Sequence, residues 1–505
     1  MYRNDSPNWG RANKKSRNNQ TLMKLLLVES PKTFWFIMQD YLPPPYNILL
    51  LAAVVEQRLP DVDVKVIDCQ AEGLDWFGLE ERIRAERPDI VGTGSHATTN
   101  VYKTVRTCDL AKRIDPNIIT IAGGSHFTAL DESTLREYPV IDVIIRYEGE
   151  RALIELLRHF MQYGLSKQGL NQIRGISFLD DGVFKRTADW PPMIGEELDR
   201  LPYPAYHLVP DMSKYHFQMM SDNPYVILEG SRGCNQQCTF CSQNVFYRHQ
   251  WHTKSPQRVV DEMEWLYDTF NSRFFWFTDD NFCMGRPKLI NALCKELMER
   301  GLTGDTIEWF AQLRVDSILR LNSGLQAMNR AGNYWQLVGA ESPFKEVLDY
   351  YKKGIDGQQT VEAIRFLKKY NILAQLMLII GHERETRKTI RQTMRWATDV
   401  VKPDFIITMI LTPYPGTPLY EELLIKGRII DRNWTNYDMI HAVADMEYLS
   451  AKDLQEELYK AYRHVYDSWR RRLTGIFARN KYKRRIYWRY MQAGVVGQLR
   501  RLIPY

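Results

Sequence analysis

The sequence predicts an α/β protein with a doubly wound open sheet, a partial (β/α)6 barrel and a helical C-terminal segment. Three observations predict this fold class. Strand-like runs that are apolar throughout recur along residues 24–150 and again along 224–413, and segments of helical period separate them. Such strands are buried on both faces, as in parallel sheets covered by helices. From about residue 418 the strand-like runs stop and the helical period continues.

The first sheet is predicted from five apolar runs. They are KLLLVES (24–30), VKVIDCQ (64–70), DIVGTGSHATT (89–99), IITIAGGSHFT (118–128) and DVIIRYEGE (142–150). Five such units suit a doubly wound sheet whose ligand binds at the carboxyl ends of the strands. We assign this domain to residues 23–163, after a polar, basic and disordered tail at 1–22.

Residues 164–222 interrupt the alternation of strands and helices. The stretch ISFLDDGVFKR (176–186) predicts a hairpin around Asp181 and Gly182. Prolines follow in DWPPM and RLPYPAY. We therefore expect a linker that contains a small hairpin subdomain.

The barrel is predicted from six further apolar runs. They are PYVILEG (224–230), RFFWFTDD (273–280), IEWFAQLRVD (307–316), YWQLVGAES (334–342), AQLMLIIG (374–381) and DFIITMILTP (404–413). A parallel barrel places its chemistry at the carboxyl ends of its strands. We assign the barrel to residues 223–425 and a helical, basic and aromatic region to 426–505.

Composition indicates an ordinary globular chain of the cytoplasm. Hydrophobic residues make up 44% and charged residues 25% of the 505 residues. No apolar run approaches the roughly 20 residues of a membrane helix. The first residues lack an apolar signal core. Seven cysteines, an odd number, favour a reducing compartment over a disulfide framework.

The C-terminal segment carries a concentration of positive charge. Residues 463–501 contain twelve Lys or Arg and one acid, Asp467, with aromatic residues interleaved. This pattern is typical of the solvated face of a helical cap, and equally of a peripheral membrane contact or of attraction to an acidic amphiphilic substrate. No nucleic-acid-binding motif accompanies it, so we expect no nucleic-acid partner.

Three cysteines lie within eight residues. Cys234, Cys238 and Cys241 have C-x3-C-x2-C spacing directly after a predicted strand. Thiolates hold iron–sulfur clusters and structural zinc, which normally take four protein ligands. Three ligands therefore indicate a metal site with one open position. A zinc ribbon would need a second C-x2-C pair, which the sequence lacks, and Cys283 as a fourth ligand would give a closed, structural site.

The stretch RGCNQQCTFC (232–241) resembles the signature of the radical S-adenosylmethionine (SAM) superfamily. The resemblance implies that Cys234, Cys238 and Cys241 hold a 4Fe-4S cluster whose fourth iron binds the amino and carboxylate groups of SAM. It also implies that Phe240 packs near the adenine. An electron from a donor such as flavodoxin or ferredoxin then cleaves SAM to a 5′-deoxyadenosyl radical.

Later strand ends extend the resemblance. TDDNF (278–282) stands where relatives carry a Gly-Gly-Glu motif, so Asp279 and Asp280 are expected to bind the SAM ammonium. Glu341 is expected to bind ribose, and Gly381 to allow close backbone approach. The stretch PYPGTPLYEEL (413–423) is similar to the end of the sixth strand in that family.

The first domain resembles the flavodoxin-like cobalamin-binding domain that precedes many radical SAM barrels. Small and hydroxyl residues follow its third and fourth strands, and RYEGE (146–150) follows the fifth. The expected corrinoid contacts are Ser95, Thr98, Gly123, Gly124 and Thr128.

Cobalt ligation by histidine is not expected. Residues 29–46 lack the Asp-x-His-x-x-Gly loop that supplies such a ligand in other cobalamin proteins. His96 and His126 follow strands of the sheet, but each alone is typical of a structural histidine.

Taken together, the motifs are most similar to the anaerobic magnesium-protoporphyrin IX monomethyl ester oxidative cyclase family. That resemblance implies hydrogen abstraction from a porphyrin side chain, followed by oxidation and closure of a fifth ring. An alternative is a radical C-methyltransferase that uses methylcobalamin on an unactivated carbon of a lipid or natural product. A third hypothesis is a non-catalytic iron–sulfur or zinc protein. For an enzyme, the expected substrate is large and planar or amphiphilic.

Overall fold

The computed structural model describes residues 22–32, 41–94 and 97–493. Its N-terminal part contains nine strands. They are β1 (Met23–Glu29), β2 (Tyr41–Leu42), β3 (Val62–Asp68), β4 (Ile90–Gly94), β5 (Ile119–Gly123), β6 (Val143–Ile145), β7 (Ile176–Asp180), β8 (Val183–Arg186) and β9 (His216–Phe217). Seven of them form one sheet in the order β3-β1-β4-β5-β6-β7-β8, while β2 pairs with β9.

The first five strands of this sheet are parallel, and the order β3-β1-β4-β5-β6 is the one expected of a flavodoxin-like fold. Helices cover both faces because the strands are apolar throughout. The helices of this part are α1 (Tyr46–Arg58), α2 (Cys69–Glu72), α3 (Trp76–Glu86), α4 (Val101–Ile114), α5 (Ser125–Ala129), α6 (Asp131–Glu137), α7 (Gly149–Tyr163) and α8 (Gly195–Asp199). The predicted doubly wound sheet is confirmed.

The hairpin around Asp181 and Gly182 does not stand apart from this sheet. Strand β7 pairs antiparallel with β6, and β8 pairs antiparallel with β7. The hairpin predicted within the linker is therefore an extension of the first sheet. The buried Arg146 helps to hold it there, because its guanidinium donates to Ser177 at 2.5 Å and to Asp189 at 2.6 Å.

The remaining strands are β10 (Tyr225–Leu228), β11 (Ser231–Gly233), β12 (Trp251–Thr253), β13 (Phe274–Phe277), β14 (Glu308–Arg314), β15 (Asn333–Glu341), β16 (Leu373–Ile380) and β17 (Phe405–Ile410). Six of them form the barrel sheet in the order β10-β13-β14-β15-β16-β17, and every neighbouring pair is parallel. Strands β11 and β12 pair with each other. The predicted partial barrel is confirmed.

Helices surround the barrel and continue beyond it. They are α9 (Ser242–Phe246), α10 (Pro256–Phe270), α11 (Pro287–Glu299), α12 (Val315–Leu321), α13 (Gly324–Arg330), α14 (Lys345–Tyr350), α15 (Gly357–Lys369), α16 (Arg387–Arg395), α17 (Pro418–Ile425), α18 (Ala451–Tyr466), α19 (Trp469–Ile476) and α20 (Lys481–Ala493). Helix α10 begins at its capping Ser255, whose hydroxyl accepts from the N–H of Arg258, with a proline at the first position.

The C-terminal helices close the amino-terminal end of the barrel. Ile486 and Tyr487 of α20 pack in one core with Phe274 and Phe405, which begin β13 and β17. The Tyr487 hydroxyl donates to the carbonyl of Asp404, just before β17, at 2.9 Å. The opposite end of the barrel, where the strands end, is left to face the first domain.

Candidate active site

A cavity of about 550 Å³ lies where the carboxyl ends of the two sheets face each other. We call it the interdomain cavity. The first sheet lines it with Gly92, Thr93, Gly94, Gly123 and Gly124, and the barrel side lines it with Ile227, Glu229, Thr278 and Asp280. Both sheets are predicted to bind ligands at this edge, so one cavity serves both.

The three cysteines follow the short strand β11. Cys234 and Cys238 are buried, Cys241 is partly exposed, and all three are free thiols. Burial raises the pKa of Cys234, and burial together with the charge of Asp280 raises the pKa of Cys241 to about 12. A metal must therefore displace protons from these thiols, as expected for thiolate ligands.

The thiols do not converge on one point. Over the described ranges, no three His, Cys, Asp or Glu side chains lie close enough together to hold a single ion. A 4Fe-4S cluster does not require such convergence, because each thiolate binds a different iron. The guanidinium of Arg314 lies 3.5 Å from the Cys238 sulfur, where it would offset the negative charge of a thiolate-bound cluster. The donor set therefore fits a cluster held by three cysteines.

Asp279 and Asp280 have different surroundings. Asp279 is fully buried, and its two oxygens accept from the Gly230 N–H and the Ser231 hydroxyl. Asp280 lines the interdomain cavity. Burial, and for Asp280 also the neighbouring Asp279, raises the pKa of each carboxyl to about 7. Within the described ranges Asp280 has no ion-pair partner, so a bound ammonium group would supply the missing charge.

Glu341 ends β15 with a left-handed backbone, at a register shift beside Gly339. Its carboxylate accepts from the Lys353 ammonium at 2.6 Å, and both side chains are buried. Burial works against the charge of Lys353, but the Glu341 carboxylate prevails and raises the pKa of that ammonium. The carboxylate proposed to bind ribose is thus fixed in place by a lysine.

Phe240 and Gly381 each lie close to another residue of this chain. The ring of Phe240 meets Tyr351 edge-on, with 5.1 Å between ring centroids. Gly381 directly follows β16, and a side chain there would lie 3.3 Å from Leu454 of α18. The close approach at Gly381 is therefore made by a helix of the same chain. The Gly381 N–H donates to the Glu385 carboxylate at 2.6 Å.

Glycines occupy the carboxyl ends of β4 and β5, so backbone atoms rather than side chains form this edge of the first sheet. A side chain at Gly94 would lie 2.6 Å from the Gly123 carbonyl oxygen, so β4 and β5 require glycine there. Gly124 has φ +114° and ψ 179°, a conformation that is essentially restricted to glycine. These positions leave a flat surface against which a bulky ring system can lie.

Two other expected corrinoid contacts, Thr98 and Thr128, do not line the interdomain cavity. Thr98 and Thr128 line a smaller cavity of about 40 Å³, together with His126. The Thr128 hydroxyl accepts from the N–H of Tyr147 at 3.0 Å. Burial lowers the pKa of His126 to about 4, and its ring contacts Trp434. Ser95 and His96 lie outside the described residues.

Reasoning from sequence missed Arg314 and Lys353. Arg314 is the last residue of β14, so its position at a barrel strand end was a usable signal. Lys353 lies in a loop twelve residues after Glu341, and no pattern in the sequence marks it.

Comparisons with known proteins identify the families of both domains. Residues 40–157 match the B12 binding domain family, and residues 228–397 match the Radical SAM superfamily. An uncharacterized methyltransferase of Pyrococcus horikoshii is 31% identical over 424 residues, which are 84% of this chain and 88% of the relative. The anaerobic magnesium-protoporphyrin IX monomethyl ester cyclase of Rubrivivax gelatinosus is 31% identical over 405 residues, which are 80% of this chain and 70% of the cyclase.

A solved structure shares the fold. It is that of the radical S-adenosylmethionine methyltransferase TsrM from Kitasatospora setae with cobalamin and a 4Fe-4S cluster bound. It has a TM-score of 0.69 at 16% identity and covers 96% of this chain and 100% of its own. The chain belongs to the family of radical SAM enzymes that carry an N-terminal cobalamin-binding domain. It is an enzyme, and its cofactors are a 4Fe-4S cluster, SAM and cobalamin.

Proposed function

We propose that this enzyme acts as an oxidative cyclase of the anaerobic magnesium-protoporphyrin monomethyl ester type, on a large planar or amphiphilic substrate. The observation that carries the proposal is the interdomain cavity, in which the glycine edge of the first sheet faces Asp280 at the barrel mouth. A substrate carbon placed there is within reach of both cofactor sites. When bound, the cofactors supply a 5′-deoxyadenosyl radical and the redox or methyl chemistry of cobalt.

The residues of the chain position these groups and exclude water. Cys234, Cys238 and Cys241 hold the cluster, and Arg314 offsets its charge. Asp280 receives the SAM ammonium, while Asp279 fixes the loop before the cysteines. Glu341, held by Lys353, faces the ribose. An electron donor of the flavodoxin or ferredoxin class supplies the reducing electron.

A radical C-methyltransferase is the second candidate. The observation that favours it is the similarity to the uncharacterized methyltransferase of P. horikoshii, which is 31% identical over 84% of this chain. The same cavity serves this reaction, with a methyl group joined to the substrate carbon in place of a net oxidation.

Methyl-labelled SAM separates the two reactions. The reconstituted, reduced enzyme is incubated with magnesium-protoporphyrin IX monomethyl ester and, separately, with a lipid extract. Formation of a ring-closed, oxidised porphyrin without label supports the cyclase. Label in a carbon-bound methyl group of a product supports the methyltransferase and overturns the cyclase proposal.

The C-terminal helices support a peripheral contact with an anionic membrane. Trp469 and Phe477 are 65% and 77% exposed; Trp469 begins α19, Leu473 lies four residues later, and Phe477 caps the C-terminal end of the helix after four more. Arginines 470–472 lie between them, which is the composition of a helix that binds an anionic interface. Among the described residues, no helix is long and apolar enough to span a bilayer.

Vesicle flotation tests this contact. The double variant Trp469→Ser, Phe477→Ser should lose most of its flotation with anionic vesicles, and added salt should weaken the wild type. Phe77→Ser is the matched control, since Phe77 is 72% exposed on the first domain. Equal flotation of the double variant and the wild type would exclude the contact.

A further inference from the structure

The cluster loop and the first domain are joined by an unusual set of buried charges. We call residues 231–248, which include the three cysteines, the cluster segment, and residues 146–150 the coupling strip. Arg232 is the second residue of the cluster segment and is 6% exposed. Its guanidinium binds three carboxylates: Glu148 and Glu150 of the coupling strip, each at 2.7 Å, and Glu229, just after β10, at 2.9 Å.

A second arginine holds the same strip from the other end of the cluster segment. The guanidinium carbon of Arg248 lies 3.9 Å from the centroid of the Tyr147 ring, a cation–π contact. Tyr147 has φ +58°, a conformation that such a residue adopts only when its surroundings hold it. The two arginines thus bracket the three cysteines and contact consecutive parts of one strip.

The strip is itself anchored in the first domain. Arg146 is buried and donates to Ser177 of β7 and to Thr187 and Asp189 just after β8, and the Tyr147 N–H donates to Thr128. Tyr147, Glu148 and Glu150 also line the interdomain cavity. One rigid element therefore contacts the cavity wall on the corrinoid side and the cluster segment on the other.

The buried contacts of Arg232 set a defined geometry, while their net contribution to stability is small because desolvation offsets much of the Coulomb energy. Interfaces between domains of one chain otherwise permit relative motion. We propose that Arg232 is a positioning residue that, through the coupling strip, fixes the distance between the bound corrinoid and the 4Fe-4S cluster. This inference does not depend on whether the enzyme oxidises or methylates its substrate.

The test measures that distance without any substrate. The enzyme is loaded with cob(II)alamin, its cluster is reduced with dithionite, and pulsed electron paramagnetic resonance records the dipolar coupling between the two paramagnetic centres. Wild-type enzyme should give one narrow distance distribution. Arg232→Gln, with cobalt and iron contents matched to the wild type, should give a distribution at least twice as wide, and Arg232→Lys an intermediate one.

Arg300→Gln is the matched control. Arg300 also binds three carboxylates, at 2.7–2.8 Å, but all of them lie on the barrel helices α10 and α11. Its distribution should equal that of the wild type. A distribution for Arg232→Gln as narrow as the wild type would overturn the proposal.

Glu150→Gln removes the same contact from the corrinoid side and keeps the proposal testable if Arg232→Gln fails to fold or to hold its cluster. It should widen the distribution as Arg232→Gln does. A narrow, unshifted distribution for Glu150→Gln would equally overturn the proposal.

Discussion

The two sheets bring their carboxyl ends to one cavity but build them in opposite ways. The barrel end carries charged side chains and thiols, such as Asp280, Glu341 and Cys238, and buried cations lie beside the last two. The edge of the first sheet is glycine backbone: a side chain at Gly94 would collide with Gly123, one at Gly123 would be tight against Ile145, and the backbone conformation of Gly124 favours glycine. We therefore expect the barrel to bind through charge and coordination and the first sheet to bind through shape.

This difference predicts that substitutions at the two edges fail differently. A change at the barrel edge should lower SAM cleavage while the corrinoid stays bound. A change at the glycine edge should weaken the corrinoid site while the cluster remains intact. Four substitutions test this contrast and the buried charges around it.

Cys238→Ala should lower SAM cleavage to 5′-deoxyadenosine by about 100-fold or more, which is about 3 kcal/mol in activation free energy. The reason is loss of one of three cluster ligands. Iron content and product are measured after anaerobic reconstitution. Cys294→Ala, at a buried cysteine of α11, is the control and should keep its cluster. Normal iron content in Cys238→Ala would contradict the assignment.

Glu341→Gln should lower the free energy of unfolding by about 3 kcal/mol, because Lys353 is left buried without its carboxylate. It should also weaken SAM binding. Denaturant unfolding and equilibrium dialysis measure the two effects. Lys426→Gln removes the more exposed pair with Glu383 and should cost less than about 1 kcal/mol. Equal losses in both variants would show that burial of the Glu341 pair is unimportant.

Gly94→Ala should weaken cobalamin binding by about tenfold, since overpacking against the Gly123 carbonyl costs about 1–3 kcal/mol. Visible absorption of bound hydroxocobalamin measures the affinity, and the iron content should not change. Gly324→Ala is the control, because the nearest atom there lies at an ordinary 3.5 Å. Unchanged cobalamin affinity in Gly94→Ala would argue against the glycine edge as the corrinoid surface.

Glu385→Gln should flatten the pH dependence of stability. Burial raises the pKa of Glu385 from 4.5 to about 7 in the folded chain. The stability that this carboxyl contributes is therefore present below pH 4.5 and is lost as the pH rises to about 7, by at most about 1.4 kcal/mol per pH unit. Unfolding of the cofactor-free chain measures the slope. The exposed Glu196→Gln is the control, and a slope that stays at the wild-type value in Glu385→Gln would refute the prediction.

The sequence predicts the parallel strands well, because their apolar runs and intervening helices are local signals. The placement of the hairpin was not predictable, since the pairing of β7 with β6 depends on Arg146 and distant partners. Among site residues, the cysteines are fixed by spacing alone.

The different surroundings of Asp279 and Asp280 needed coordinates, because the alternation of side chains ends with the strand. The pairing of Arg232 with Glu150 also needed them, because 82 residues separate the two in the chain. Long-range charge pairs leave no periodic trace in a single sequence.

The central claim is that the cluster keeps one iron open for SAM at the wall of the cavity shared with cobalamin. Electron paramagnetic resonance of the reduced, cobalamin-loaded enzyme during a SAM titration tests it most directly. We expect the cluster signal to change in proportion to the SAM bound, and 5′-deoxyadenosine then to form. If the cluster signal does not change at saturating SAM and no cleavage product forms, the cluster does not bind SAM through an open iron.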